Sequence, residues 1–377
     1  MPRIPAAFMR TAVTVAALLV PAMAAMAAPR TDLLQVPPGF HVSVVSDHVP
    51  SAREMARGAR GTIFVGSMAA GNVYALSGVD DGGTVRVQTI AHGLDLPVGV
   101  AYHDGDLYVS DMRRIVVLRD IEDHLDAPPK PEVVADDLPY RAGDHSWKFI
   151  AFGPDNRLYV PIGAPCNICD VGHEFGRIIS MNANGTDRHD VAYGIRNSVG
   201  FTWQPGTGVM WFTDNGRDNM GDDVPSDELN RVDVSGQSFG YPYCHQGNVP
   251  DPQFGSLHPC SEFTPPALLL GAHVAALGLR FYEGMAFPAA YHGSLMIAEH
   301  GSWNRSQLSG YQVVSVSFNA ENRPQPPTVL VSGFRQGQRA WGRPADVLPL
   351  PDGSMLISDD LSGAIYRLTY GNAAPMH

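Results

Sequence analysis

Three stretches of the chain bring together side chains that could do chemistry. His145 stands beside Asp144 in Gly143-Asp-His-Ser-Trp-Lys148. An imidazole accepts a proton readily near neutral pH, so His145 is a candidate general base. A histidine satisfied by loop hydrogen bonds would carry the same sequence. Arg196 and Asn197 stand together in Tyr193-Gly-Ile-Arg-Asn-Ser198. A guanidinium fork beside an amide suits an anionic, oxygen-rich ligand, and equally a salt bridge between neighbouring elements. Asp214 to Glu228 holds six carboxylates and two glycines in 15 residues. Such a loop suits a hard cation such as Ca²⁺, although it lacks the spacing of an EF-hand, and a merely solvated acidic loop would look the same.

Two further stretches carry cations. Glu299-His300-Gly-Ser-Trp-Asn-Arg305 is one, and Arg335, Arg339 and Arg343 form the other. The chain as a whole is acidic, with 26 Lys+Arg against 38 Asp+Glu and a net charge of −12. That balance argues against nucleic acid as a partner. Arginines gathered locally on an acidic protein need a reason: an anionic ligand, or surface charge balance. Only Lys130 and Lys148 are lysines, which leaves almost no candidate for a Schiff base.

These residues need a frame, and the chain repeats itself. A turn, a short β-branched or aromatic strand and a loop of small or acidic residues recur at Gly61–Ser67, Gly105–Asp111 and Asn156–Gly163. The pattern continues at Gly208–Asp214, Gly293–Glu299 and Gly353–Asp359. Further short apolar strands lie upstream, at 97–102, 149–152, 199–203, 284–287 and 345–348, and downstream, at 72–76, 114–118, 177–181 and 363–368. Units of about 40–50 residues with several strands each are propeller blades, stacked in a ring because none can bury both faces alone. Six units predict an all-β, six-bladed β-propeller over residues 28–377, with an insertion near Gly240–Pro266. In a ring, side chains at the start of inner strands converge on a central channel, and the candidates above fall there.

Residues 1–27 read as a secretory signal: Arg3 and Arg10, an apolar core from Thr11 to Val20, and the cleavage motif Ala25-Met-Ala27. The expected location is the periplasm or outside the cell, with no spanning helix. Four cysteines suit that compartment. Cys244 and Cys260 flank a Pro- and Gly-rich loop that a disulfide would restrain. Cys166-Asn-Ile-Cys169 has no following His for haem and no second pair for zinc. It is a local structural disulfide or a redox-active pair.

In this order, Asp144-His145 followed by Phe152-Gly-Pro-Asp155, then Gly194-Ile-Arg196-Asn197, then Asp214-Asn-Gly216-Arg217 running into Asp227-Glu228-Leu-Asn230 resemble the soluble pyrroloquinoline-quinone (PQQ)-dependent sugar dehydrogenases. The likeness is closest to the sorbosone dehydrogenase branch and spans roughly residues 35–370. It implies oxidation of an aldose or sugar aldehyde by hydride transfer to the quinone, with electrons passed to an external acceptor, a quinone or a cytochrome. It implies that His145 is the base, Asp227 the acid that orients it, and Arg196 the cation beside the reacting quinone oxygen. It further implies that Asn197 and Arg343 contact the cofactor, that Asp144 lies on the substrate side, and that the carbonyls of Gly216 and Arg217 bind Ca²⁺.

The chain also departs from that pattern. Val199 stands where glucose-oxidising members have Gln, and Ala345 where they have a second Arg. A family Lys near the fifth blade is absent, with Arg305 or His300 in its place. Two other functions fit a six-bladed ring: a Ca²⁺-dependent lactonase, whose metal would sit on carboxylates from several blades, and a non-catalytic propeller that binds sugars or a partner protein.

Overall fold

The computed structural model describes residues 28–80, 83–141 and 145–371. The expected signal segment and Asp144 lie outside them. The chain forms the expected ring of six antiparallel blades. Blade 1 comprises Ala52–Arg57, Ile63–Ser67, Val73–Ser77 and Arg86–Ala91, and blade 2 comprises Val100–His103, Asp106–Ser110, Ile115–Leu118 and Glu132–Ala135. Blade 3 has Ala151–Phe152, Leu158–Ile162, Arg177–Met181 and His189–Tyr193, with Gln237–Ser238 added in parallel. Blade 4 has Phe201–Trp203, Met210–Asp214, Ser226–Val232 and Leu268–Ala272, and blade 5 has Ala276–Phe281, Leu295–Glu299, Gln312–Val316 and Thr328–Val331. Blade 6 is Pro344–Pro349, Met355–Asp359 and Ala364–Tyr370, completed by the N-terminal strand Phe40–Ser46. That last pairing runs from Phe40 opposite Tyr370 to Val44 opposite Tyr366, and it ties the two ends of the chain into one sheet.

The second strand of each blade explains why the repeat is legible. Successive side chains of a strand point to opposite faces. In blade 4, Trp211 joins a core cluster shared with blade 5, while Phe212 joins one shared with blade 3. In blade 5, Leu295 and Ile297 face blade 4, whereas Met296 and Ala298 face blade 6. Both faces are buried, so these strands read as continuous apolar runs rather than as alternation. Six such clusters fill the six gaps between blades. Each fully buried Val, Leu, Ile or Phe contributes about 1.5–3 kcal/mol.

Polar bonds register neighbouring blades, from the second strand of one to the first-strand segment of the next. Ser110 Oγ donates to the Lys148 carbonyl (2.7 Å), Thr213 Oγ1 to that of Leu277 (2.8 Å) and Ser358 Oγ to that of Arg53 (2.7 Å). The Glu54 carboxylate of blade 1 accepts from the amides of Val100 in blade 2 (3.1 Å) and Ile150 in blade 3 (3.0 Å). A Cβ at Gly200 would lie 2.2 Å from the Leu277 carbonyl oxygen, so the close approach of blades 4 and 5 requires glycine.

One expected strand is corrected. The segment 284–287 is not the first strand of blade 5; Ala276–Phe281 is. Gly284–Phe287 belongs to the connection that follows, where Tyr282 stacks on Phe287 at 4.3 Å and accepts the Phe287 amide on its hydroxyl. The insertion at 240–266 falls between the third and fourth strands of blade 4, as expected. No helix among the described residues is long and apolar enough to cross a membrane.

Candidate active site

Antiparallel pairing puts the start of each first strand beside the end of the second strand at one end of the ring: Ala52 opposite Ser67, Ala276 opposite Glu299, Pro344 opposite Asp359. Loops from those positions surround a cavity of about 540 Å³. His145, Arg196, Asn197, Gly216, His300 and Arg343 all line it, so residues as far apart in sequence as His145 and Arg343 meet in one place. The size suits a ligand of cofactor dimensions.

His145 is 7% exposed and has a left-handed backbone, φ 59°. Its Nδ1 lies 2.8 Å from the Ala164 carbonyl oxygen. A carbonyl only accepts, so Nδ1 carries the proton and Nε2 keeps its lone pair. Burial, and then the nearby Arg196 charge, push the imidazole down to about 3. The ring is therefore a neutral proton acceptor. This corrects the role expected for Asp227. Its carboxylate accepts the amides of Gly216 (2.7 Å) and Ala275 (2.7 Å); it does not hold His145. Asp227 lines the cavity but serves the backbone of its wall.

Arg196 is held on every side. Nε donates to the Asn167 carbonyl (2.9 Å) and Nη1 to that of Asn215 (3.1 Å). Nη2 donates to Asn167 Oδ1 (2.8 Å) and Asp218 Oδ2 (2.7 Å). A guanidinium has five N–H groups, so one on Nη1 is left without a protein acceptor among the described residues. The Asp214 carboxylate accepts the amides of Arg196 (3.0 Å) and Asn197 (2.6 Å), which fixes this turn from below. The Asn197 side chain lines the cavity and bonds no protein group among the described residues.

The opposite wall is cationic. Arg343 donates to the carbonyls of His300 (3.3 Å) and Gly301 (2.9 Å) and pairs with no carboxylate among the described residues. Beside it, the Asp360 carboxylate bridges Arg53 Nη2 (2.7 Å) and His300 Nε2 (2.9 Å). Burial alone would raise Asp360; Arg53 and then His300 reverse that and hold it well below the usual carboxylate range. Burial pushes His300 down to about 4.

One expectation fails here. Arg305 does not face the cavity. Its guanidinium donates to the Asp222 carbonyl (2.8 Å), the Gln307 carbonyl (3.0 Å) and the Asp223 carboxylate (2.6 Å). The acids of the 214–228 loop are engaged by backbone amides, Arg196, Asn304, Arg305 and Ser306, which leaves the loop's uncharged oxygens for a cation. Among the described residues no three His, Cys, Asp or Glu side chains converge on a metal position.

Sequence reasoning missed Arg53, Asn167 and Asp360. Arg53 was legible in principle, since a six-blade ring demands a first strand before Gly61. Asp360 directly follows the sixth repeat. Asn167 carries no signal beyond lying between two cysteines.

The residues fit the expected groups. No donor among the described residues bonds the carbonyl oxygens of Gly216 and Arg217, and Asn215 Oδ1 is buried without a partner. Three free oxygens in consecutive residues suit a hard cation. The Arg217 side chain itself is turned away into an ion pair with Asp251. For a polycarboxylate, the cavity offers Arg343, Arg53 and the spare N–H of Arg196.

A family model described as TrAA12-like matches residues 34–370. A protein of Borreliella burgdorferi described as uncharacterized is 33% identical over 353 residues, 90% of this chain and 92% of its own. Among solved structures, the holo form of the pyranose dehydrogenase PQQ domain from Coprinopsis cinerea aligns with a TM-score of 0.78 at 19% identity, covering 91% of this chain and 98% of that one. A calcium structure of the Trichoderma reesei family AA12 protein aligns at 0.76 and 21% identity, over 92% and 98%. At these identities the structures speak for the propeller, and the match along almost the whole chain speaks for kinship: this protein belongs to the TrAA12-like family.

Proposed function

We propose that this chain is a PQQ- and Ca²⁺-dependent oxidoreductase of aldoses or sugar aldehydes, working in the periplasm or outside the cell with a separate electron acceptor. The observation that carries the reading is the convergence, in one cavity, of a neutral imidazole, a fixed guanidinium and a cationic opposite wall, with Nε2 of the first and one N–H of the second lacking partners among the described residues. The related holo PQQ domain and calcium structure support it as kin of the same fold. When bound, the quinone supplies a two-electron acceptor for a hydride.

This chain's residues supply the rest. His145 Nε2 takes the proton of the sugar hydroxyl as the C–H bond breaks, a task for which it must be unprotonated. Arg196, pinned by four hydrogen bonds, presents its remaining N–H without reorganising, which favours charge developing on an oxygen beside it. Arg343 and Arg53 bind carboxylates, and Gly216, Arg217 and Asn215 offer oxygens to the cation.

The test is a titration of the purified protein with PQQ, with and without Ca²⁺, followed by dye-linked assays on a sugar panel. Ca²⁺-dependent binding and turnover on at least one sugar are expected. Absence of any spectral change of the quinone and of any turnover sinks the proposal, and lactone hydrolysis without quinone would replace it.

A further inference from the structure

The short loop closed by the Cys166–Cys169 disulfide touches the cavity through a single residue, Asn167. Asn167 makes four hydrogen bonds to two residues of the cavity wall, Arg196 and Asp218. Its carbonyl accepts Arg196 Nε (2.9 Å). Its Oδ1 accepts both Arg196 Nη2 (2.8 Å) and the Asp218 amide (2.8 Å). Its Nδ2 donates to the Asp218 carbonyl (3.2 Å). One asparagine thus binds the guanidinium bidentately and also ties down Asp218, the carboxylate that shares it.

The loop is itself braced from outside. The Tyr241 hydroxyl accepts the Cys169 amide (3.1 Å), donates to the Asn167 carbonyl (3.4 Å) and lies 3.5 Å from Cys166 Sγ. The disulfide ties Cys166, directly before Asn167, to Cys169, two positions after it. Opening it would free a four-residue turn that, among the described residues, is otherwise attached through hydrogen bonds to Tyr241, Arg196 and Asp218. Cys166 and Cys169 are partly exposed, whereas Cys244 of the other disulfide is buried.

We infer that Asn167 is the positioning residue for Arg196, and that the Cys166–Cys169 disulfide, by holding Asn167, sets how tightly the cavity binds an anionic ligand. This rests on the proposed quinone reading for its ligand, though not for its geometry. A dithiol reductant delivers two electrons and two protons to the sulfur–sulfur bond, leaving thiols at 166 and 169 and itself closing to a cyclic disulfide. Asn167 then loses its restraint, and Arg196 its bidentate partner. Binding at this site would respond to the thiol–disulfide balance around the protein.

Two readouts test this on the full chain. The first is hydrogen exchange at the Arg196 Nη2 hydrogens, whose acceptor Oδ1 is the atom that Asn167→Ala removes, followed by NMR on arginine-labelled protein and assigned with Arg196→Lys; it needs no cofactor. The second is the dissociation constant of PQQ with Ca²⁺ by calorimetry. Asn167→Ala should speed the exchange and weaken PQQ about ten-fold, the weight of one hydrogen bond to a charged group. Asn167→Asp keeps both acceptors for Arg196 and should keep its exchange slow. Cys166→Ser with Cys169→Ser should behave as Asn167→Ala does, and dithiol treatment should reproduce the effect in the wild type but add nothing in the double variant.

Exchange that stays slow in Asn167→Ala overturns the positioning role. Faster exchange with unchanged PQQ affinity overturns its consequence for binding. If the wild type binds no PQQ yet the exchange responds as described, the quinone reading fails while the positioning role stands.

Discussion

His145 Nδ1 hydrogen-bonds the backbone carbonyl of Ala164 at 2.8 Å, so the proposed base is oriented by a neutral dipole, with no carboxylate on that nitrogen. A carboxylate partner would stabilise the imidazolium; a carbonyl does so only weakly, while burial and Arg196 both oppose the charge. The ring is thus poised to accept a proton only when a substrate offers one and negative charge is leaving with it.

Replacing His145 with Ala should lower kcat roughly a hundred- to ten-thousand-fold. Quinone affinity, measured by calorimetry, should be largely retained, because the cations and free oxygens of the cavity are untouched. Since the imidazole lies far below its usual range, kcat/KM of the wild type should show no inflection near pH 6.5. An inflection there that vanishes in His145→Ala would contradict the assignment.

Gly163 tests the same relationship from behind. A Cβ at this position would sit 2.7 Å from both the Cβ and the carbonyl oxygen of His145. Neither is the tip of a flexible side chain, so Gly163→Ala must displace the left-handed backbone at 145. The overpacking should cost about 1–3 kcal/mol in denaturant unfolding. Activity should fall at least about ten-fold, since displacement of a reacting group is felt more strongly than the stability loss alone. Unaltered kinetics in a folded Gly163→Ala protein would mean that His145 need not be where it is.

Asp360 joins Arg53 and His300 in a buried group, with side-chain exposures of 7% and 13% for the Arg53–Asp360 pair. Removing one partner of such a pair leaves an uncompensated charge, so Asp360→Asn should lose about 3–5 kcal/mol in chemical denaturation. The pair is held by burial, so the loss should be nearly independent of salt. A loss under about 1 kcal/mol, or one erased by salt, would identify an exposed surface contact instead.

Which residues the sequence could disclose follows from what they bury. The second strands announce themselves because both faces are apolar, as Trp211 and Phe212 show by joining different cores. The first strand of blade 1, Ala-Arg-Glu-Met-Ala-Arg, escapes notice because Arg53 and Glu54 are buried polar side chains partnered from other blades, by Asp360 and by the amides of Val100 and Ile150. Pattern reading treats such residues as exposed. His145, Arg196 and Arg343 are recognisable by type and place, at the starts of first strands. Asp227 is recognisable as important but not for its true task, because its partners are backbone amides that every residue owns. Asn167 depends on a fold-back of 29 positions to Arg196, which no local pattern records.

Glu299 offers a test of the site's electrostatics through stability. It ends the second strand of blade 5, accepts from Gln312 Nε2 at 2.8 Å, and is pushed by burial, and further by Asp227, from 4.5 up to about 8. A carboxyl whose folded value is raised stabilises the fold fully below its unfolded value, and that contribution drains away as pH climbs through the folded one. Between pH 5 and pH 8.5 the wild type should therefore lose stability relative to Glu299→Gln, which keeps an acceptor for Gln312 and never ionises. Near pH 5 the two proteins should melt together; at pH 8.5 the variant should be the more stable by about 1–3 kcal/mol. Ca²⁺ should narrow the gap if the cation lies close, because positive charge nearby favours the carboxylate. Melting curves for both proteins across this range, with and without Ca²⁺, check the sign directly: a gap that widens toward acid pH would show that Glu299 is ionised in the folded chain and that the inner acids already carry their counter-charge.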